Sequence, residues 1–411
     1  MAKKMELQDV EVWDGSMSFS NAWRQARIDV VAAYPITPST PTIQNYATFL
    51  SNGYVDGEYI RVESEHAAMS GCAGASAAGG RVATATSSQG LALMIEVLYQ
   101  VSGMRLPIVL ALVNRALASP LNVNGDHSDM YLMRDAGWIN LCTFNPQEAY
   151  DLMLCSFKIA EHKSVRLPTV VHQDGFMCSH TAQNVRPLQD DEAFKFIGEY
   201  KAVNSLLDFS KPVTYGAQSE EDWHYEHKAK QHNALMNSKK IIEETFEEFE
   251  KLTGRKYNIV EEYMMEDAKI AIVALGTTVE SAIAVAKKLR KENGIKVGIV
   301  APRMLRPFPL EEIRIALSGV AAIACLDRSA PGGTTGMLYN EVAAAVFSGG
   351  QVIPTTNYIY GLGGRDISIE NIKEIYREQQ ANADAGHITT DIQQFTNLRG
   401  PKLSFFKTER S

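Results

Sequence analysis

Apolar, β-branched runs recur through the first 185 residues, and each stops abruptly at a polar loop. IDVVAAY (28–34), EYIRVE (58–63), GRVATAT (80–86), LPIVLALV (106–113) and LPTVVH (167–172) read as strands buried in a parallel sheet. WINLCTF (138–144) predicts a further strand. Helix patterns lie between them. The clearest is QEAYDLMLCSFKIAEH (147–162), where Asn145 and Pro146 supply an N-cap and first-turn signal and Tyr150, Leu152, Met153, Phe157 and Ile159 form a buried stripe. Strands separated by helices imply a doubly wound α/β fold around a parallel sheet.

In such a sheet, ligands sit outside the carboxyl ends of the strands. The loops found there are YPITPST (34–40), RVESEHAAMSG (61–71), ATSSQGLALM (85–94), VNRALASPLNVNGDHSD (113–129) and VVHQDGF (170–176). Pro35, Thr37, Glu65, Ser88, Gln89 and Arg115 therefore converge on one rim. That is an active-site pattern.

From 186 to 265 strand runs vanish and charge accumulates, as in EEDWHYEHKAKQH and the helix SKKIIEETFEEFEKL (238–252) with its apolar Ile242, Phe246 and Phe249. His224, His227 and His232 sit in charged surroundings at no tight ligand spacing, so a solvated helix face is the favoured reading over a metal site. A second α/β unit follows: strands AKIAIVALGTT (268–278), IKVGIVAPRM (295–304) and VAAIACLDRS (320–329), then PGGTTGMLYNEVAAAVF (331–347), a glycine-rich turn opening a helix. Gly332, Gly333 and Gly336 suit either a phosphate cradle or close helix–sheet packing. The expected division is 1–185, 186–265 (a structured connector), 266–380, and 381–411, a C-terminal arm that wraps a partner.

With 411 residues and 45% hydrophobic content, the chain can bury a large core. Its net charge of −8 offers no footprint for nucleic acid or an anionic membrane. No apolar run spans a bilayer and MAKKMELQDVEVW lacks a signal-peptide core, so a cytoplasmic protein is expected. The five cysteines form no CxxC pair and read as buried reduced thiols, which excludes an iron–sulfur cluster within the chain.

Each rim residue has a bland alternative. Glu65 opens a helix of small residues, where a carboxylate complements the helix dipole, and Glu63 competes with it. Ser88 is placed to cap the following helix. Arg115, after eight apolar residues, matches a carboxylate bidentately, with Thr37 as a second donor; the alternative is an ion pair with Asp126 or Asp129. GDHSD (125–129) reads as loop-stiffening side chain–backbone bonds, with Asp129 a candidate cap for the next helix, in preference to a metal site.

YPITPST, VESEHAAMSG…GASAAGGR, TATSSQGLALM, LPIVLALVNRAL, GDHSD and HQDGF…SH together resemble the alpha subunit of 2-oxoacid:ferredoxin (or acceptor) oxidoreductases, strongly over 20–185 and more loosely through 268–370. The resemblance implies a thiamine diphosphate pyrimidine-binding domain followed by a transketolase C-terminal-like domain. It places the glutamate that contacts the cofactor's aminopyrimidine ring on Glu65, with Pro35, Ser88 and Gln89 as further cofactor contacts. The substrate-contacting threonine and arginine fall on Thr37 and Arg115. It further implies oxidative decarboxylation of a 2-oxoacid to acyl-CoA and CO₂, with coenzyme A as co-substrate. The GDG motif of the diphosphate half is missing, since only GDH (125), VDGE (55) and QDGF (173) occur. A beta subunit is therefore expected to supply Mg²⁺ and the diphosphate site, beside a gamma-like subunit, an iron–sulfur subunit and ferredoxin or another acceptor. Pyruvate is the expected substrate, with phenylglyoxylate or a branched-chain 2-oxoacid as alternatives within the class. A non-oxidative thiamine-dependent lyase or transferase subunit and a non-catalytic scaffold are the readings from other classes.

Overall fold

The chain opens with β1 (Glu11–Trp13) and α1 (Gly15–Gln25), whose N-cap Asp14 accepts the Met17 N–H at 2.8 Å. In this computed structural model, which describes residues 2–399, five strand–helix repeats follow. They are β2 (Val30–Ala33), α2 (Thr40–Ser51), β3 (Glu58–Arg61), α3 (Glu65–Ala77), β4 (Val82–Thr86), α4 (Ser88–Gly103), β5 (Val109–Asn114), α5 (Ser128–Leu132), β6 (Ile139–Cys142) and α6 (Pro146–Glu161). Next come β7 (Thr169–Asp174), β8 (Gln183–Val185), α7 (Asp190–Ile197) and α8 (Glu221–Thr253). Asn145 caps α6 through the Glu148 N–H at 3.0 Å, as the Asn–Pro signal predicts. α6 is buried along nearly its whole length, and Tyr150 meets Trp13 edge-on at 5.7 Å. Each such aromatic or aliphatic side chain contributes about 1.5–3 kcal/mol by leaving water.

The remaining elements are β9 (Val260–Tyr263), β10 (Ile270–Val273), α9 (Thr278–Asn293), β11 (Val297–Pro302), β12 (Met304–Arg306), α10 (Leu310–Ala316), β13 (Ala322–Asp327), α11 (Met337–Ser348), β14 (Thr355–Ile359), α12 (Ile369–Ala385) and β15 (Gln393–Phe395). The chain forms two compact units. The first comprises residues to Glu261 with Leu275–Thr277 and Pro302–Pro309; the second holds Glu262–Ala274, Thr278–Ala301 and the chain from Leu310.

A seven-stranded sheet in the order β12-β6-β7-β5-β4-β2-β3 organises the first unit, parallel throughout except for β12. The second unit is organised by a six-stranded sheet in the order β15-β14-β13-β10-β11-β9, with β10, β11, β13, β14 and β15 all parallel. Both are doubly wound α/β architectures.

Several expectations change. EYIRVE is not buried: β3 is the sheet's edge, and Ile60 is 45% exposed. The strand expected over 295–304 divides at Pro302. Beyond it, Arg303 is buried against Glu148 at 2.9 Å and against Glu261, and Met304–Arg306 pairs antiparallel with β6 in the first sheet. The connector's charged stretch belongs to the 33-residue α8, whose Ile242, Phe246 and Phe249 are buried. Of the expected arm, residues to Ala385 finish α12 and Gln393–Phe395 extend the second sheet as β15; 400–411 lie outside the described residues. All five cysteines are buried and none forms a disulfide, and no described helix is long and apolar enough to cross a membrane.

Candidate active site

Strands β2, β4, β5 and β7 deliver their C-terminal loops to one rim of the first sheet. α3 starts there because Ser64 caps it, accepting the Ala67 N–H at 3.1 Å. Glu65 is then the first helical residue and is buried, whereas its sequence competitor Glu63 is exposed. Its carboxylate makes no hydrogen bond or ion pair among the described residues. The backbone of α4 passes directly over it: a Cβ on Gly90 would stand 2.7 Å from Glu65 Oε1 and 2.4 Å from Thr86 Oγ1. Glycine at 90 is thus a packing requirement. The neighbouring hydroxyls of Thr86 and Ser87 are buried without a partner among the described residues.

Ser88 does not cap α4. The N-cap is Ser87, which makes no side-chain cap bond, and Ser88 is the first helical residue, held at φ 49°. Its hydroxyl reaches the Ala116 carbonyl and lies 2.6 Å from Gln89 Oε1, while its N–H donates to Asp129 Oδ2 at 2.9 Å. Non-glycine residues rarely adopt this left-handed conformation, and here three bonds hold it.

Arg115 and Thr37 meet. The buried Arg115 guanidinium donates through Nη1 to the Thr37 carbonyl at 2.9 Å and through Nε to the Asn122 carbonyl at 2.9 Å. It bonds two carbonyls and no carboxylate, so the ion pair with Asp126 or Asp129 is not formed. Burial lowers its pKa from the usual arginine value, with the nearby Asp129 opposing that shift. Pro35 and Thr37 stand exposed in the same loop.

Asp129 is the residue whose importance sequence reasoning missed. Instead of capping α5, whose N-cap is His127, its fully buried carboxylate gathers three loops. It accepts the Ser88 N–H and the Arg115 N–H at 2.9 Å each and the Asn114 side-chain amide at 2.9 Å. Burial pushes its pKa up to about 7, with those bonds partly opposing the shift. Asp126 stiffens the loop, accepting the Ser128 N–H at 3.0 Å and hydroxyl at 2.7 Å. Nearby, His127 Nε2 lies 2.6 Å from Asp174 Oδ1, and Asp174 Oδ2 accepts the Thr277 N–H at 2.8 Å. Burial, then the neighbouring His127, lowers the His172 imidazole to about 3, so it stays neutral. The Asp126–Ser128 bonds are the loop-stiffening kind expected of GDHSD, whereas those of Asp129 to Ser88 and of His127 to Asp174 join positions far apart in sequence, which the run does not announce.

The glycine-rich turn of the second unit is not a phosphate cradle. Asp327, at the end of β13, already accepts the Leu338 N–H at 2.8 Å and the Tyr339 N–H at 3.1 Å, the groups an anion would need. A Cβ on Gly336 would stand 2.1 Å from Asp327 Oδ2, which explains that glycine by close packing. Among the described residues, no group of three or more His, Cys, Asp or Glu side chains is arranged to hold a metal.

The donor set at the rim fits the pyrimidine half of thiamine diphosphate. The largely buried Glu65 carboxylate has no hydrogen bond among the described residues, the Thr86 and Ser87 hydroxyls are buried without a partner there, and α3 offers exposed Ser70, Gly71 and Gly74 to a flat group.

Comparison with known proteins identifies both units. Residues 21–247 match the family model for pyruvate flavodoxin/ferredoxin oxidoreductase, thiamine diphosphate-binding, and 268–372 match core domain II of pyruvate:ferredoxin oxidoreductase. Pyruvate synthase subunit PorA of Thermotoga maritima is 45% identical over 385 residues, covering 94% of this chain and 97% of that protein. Ketoisovalerate oxidoreductase subunit VorA of Pyrococcus abyssi is 39% identical, covering 93% and 96%. The fold resembles that of 2-oxoglutarate:ferredoxin oxidoreductase from Magnetococcus marinus, solved with 2-oxoglutarate, coenzyme A and succinyl-CoA (TM-score 0.70, 20% identity, 92% of this chain and 67% of that one). The family matches cover both units, and the relatives match over nearly their whole length. The chain belongs to the pyruvate:ferredoxin oxidoreductase family as an alpha subunit, the thiamine diphosphate-binding member of a 2-oxoacid:ferredoxin oxidoreductase.

Proposed function

We propose that this subunit supplies the pyrimidine half of a thiamine diphosphate site and the carboxylate clamp for a 2-oxoacid, which the assembled enzyme oxidatively decarboxylates to acyl-CoA and CO₂. One observation carries the reading: Glu65 is a buried carboxylate without a hydrogen-bonding partner, held under Gly90 at the ligand-binding rim. Bound thiamine diphosphate supplies the nucleophilic carbon and the electron sink for decarboxylation. With thiamine diphosphate bound, Glu65 would accept a hydrogen bond from a protonated nitrogen of the aminopyrimidine ring and hold the proton there, which would make the exocyclic amino group easier to deprotonate. Pro35, Ser88 and Gln89 line the same loops and orient the ring. Arg115 is anchored on two carbonyls and retains N–H donors for the substrate carboxylate, with the Thr37 hydroxyl beside it.

The diphosphate and Mg²⁺ belong to a beta subunit. Iron–sulfur centres lie on a further subunit, accompanied by a gamma-like subunit, with ferredoxin or another acceptor taking the electrons. Pyruvate is the proposed substrate, and the pyruvate synthase relative at 45% identity supports it. The ketoisovalerate relative, at 39%, keeps a branched-chain 2-oxoacid as the second reading.

The purified complex, assayed with coenzyme A and an artificial acceptor, should favour pyruvate over 3-methyl-2-oxobutanoate and phenylglyoxylate. Arg115→Lys keeps the charge but loses the planar fork. It should raise the apparent KM for every 2-oxoacid by about tenfold, given the ~1.5–3 kcal/mol of a charge-assisted bond, and leave thiamine diphosphate binding intact. An unchanged KM with an earlier melting transition would assign Arg115 to structure instead.

A further inference from the structure

α8 carries a surface that the proposed chemistry does not use. Its docked face is Gln231, Ala234, Ser238, Ile242, Thr245, Phe246 and Phe249, but every residue from Glu221 to Lys230 is exposed. Three turns of helix thus project without tertiary packing, although packing of an apolar face supplies most helix stability in proteins. On the side facing away from the docked stripe run Asp222, Tyr225, Ala229, His232, Met236 and Lys239. Their spacing alternates three and four, the rhythm of a coiled-coil seam. Tyr225 is 77% exposed and Met236 48%.

The order of these residues identifies what covers them. We infer that α8 pairs antiparallel with α8 of a second copy of this chain. With Ala229 of one helix set against His232 of the other, each layer of the seam finds a complement. Tyr225 meets Met236, and the small Ala229 leaves room for the His232 ring. Asp222 meets Lys239, and Glu221 lies near Lys240. Each layer occurs twice about the two-fold axis, as an isologous interface requires. A parallel pair would instead stack Asp222 on Asp222 and Lys239 on Lys239, repelling at both ends. Of the region's three histidines His232 is a seam residue, whereas His224 and His227 lie on other faces of the helix.

Cross-linking in the full-length chain, and again in the assembled complex, tests the register. The native thiols are all buried, so introduced cysteines report alone. Tyr225→Cys chains mixed with Met236→Cys chains should form a disulfide-linked dimer under mild oxidation. Tyr225→Cys chains alone should not, because the helical rise from 225 to 236 separates their sulfurs by about 16 Å. The seam is short, so sedimentation over a range of concentrations gives the second readout. Asp222→Lys should weaken self-association about tenfold, since two like-charged contacts replace two opposite ones. Adding Lys239→Asp to the same chain should restore it. Self-linking of Tyr225→Cys, linking of position 225 to a different subunit, or self-association indifferent to both charge reversals would overturn the proposal.

Discussion

The two parallel sheets end in similar-looking turns, and each places an aspartate or glutamate beside a glycine at a helix start. Their carboxylates are used in opposite ways. Asp327 in the second unit spends its oxygens on the Leu338 and Tyr339 N–H groups and the Asn357 amide, with Gly336 letting the backbone close around it. Glu65 in the first unit is buried beneath Gly90 but keeps a little more access (7% exposed against 1% for Asp327), and its oxygens bond nothing among the described residues. A carboxylate whose bonds are all made within the chain stabilises the fold, whereas one left open at the rim is available to a ligand. Composition and glycine content do not separate the two turns; the hydrogen bonds do.

The largest effect that could break this contrast is at Glu65. Glu65→Gln preserves shape and hydrogen bonding but not the charge, and should slow turnover of the assembled complex by three orders of magnitude or more (~10³) while assembly persists. Near-normal steady-state rates would return Glu65 to the role of a dipole-complementing residue. Gly90→Ala probes the same contact from the other side. The added methyl must displace Glu65 or Thr86, and a misplacement of about 1 Å at a reacting group costs on the order of 10²-fold in rate. Single-turnover kinetics would show it; a rate within twofold of wild type would mean that the contact relaxes freely.

Asp327→Ala should do the reverse, leaving the chemistry nearly intact and destabilising the second unit. Buried N–H groups lose a charged acceptor, a change worth about 3 kcal/mol. Differential scanning calorimetry on the full chain would detect it, and loss of turnover without loss of stability would place Asp327 in the chemistry after all.

The smallest effect concerns pH. Burial raises Asp129 to about 7 in the folded chain, against about 3.9 in an unfolded one. The folded state therefore binds this proton more tightly, and Asp129's contribution to stability falls as pH rises from about 4 to about 7. Asp129→Asn removes that dependence. The shift in melting temperature between pH 5 and pH 8 should shrink in the variant, and an unchanged shift would show that other groups set it.

Much of this was legible in the residue order. β-branched runs located β4, β5, β7 and β13, Asn145–Pro146 marked the start of α6, and the loop positions of Thr37 and Arg115 put both on one rim. What stayed hidden depends on neighbours distant in sequence. EYIRVE has strand-like residues, but only the strand order makes it an exposed edge. Gly90 reads as an ordinary helix glycine until Glu65 is found where its side chain would be. Asp129 looks like a helix cap because its partners, Ser88 and Asn114, are contributed by the start of α4 and the end of β5.

The division at Pro302 bears on how far the polypeptide can be dissected. Because Pro302–Pro309 belongs to the first unit, that thiamine diphosphate-binding unit is not a contiguous stretch that ends near residue 265. A fragment cut there would lose β12, baring one edge of β6, and would lose Arg303, leaving the buried Glu148 without its cation. Removing one member of a buried ion pair costs about 3–5 kcal/mol, a large share of a domain's net stability. Gene fusions, truncations and domain exchanges in this subunit therefore have to carry the later segment along with the earlier one.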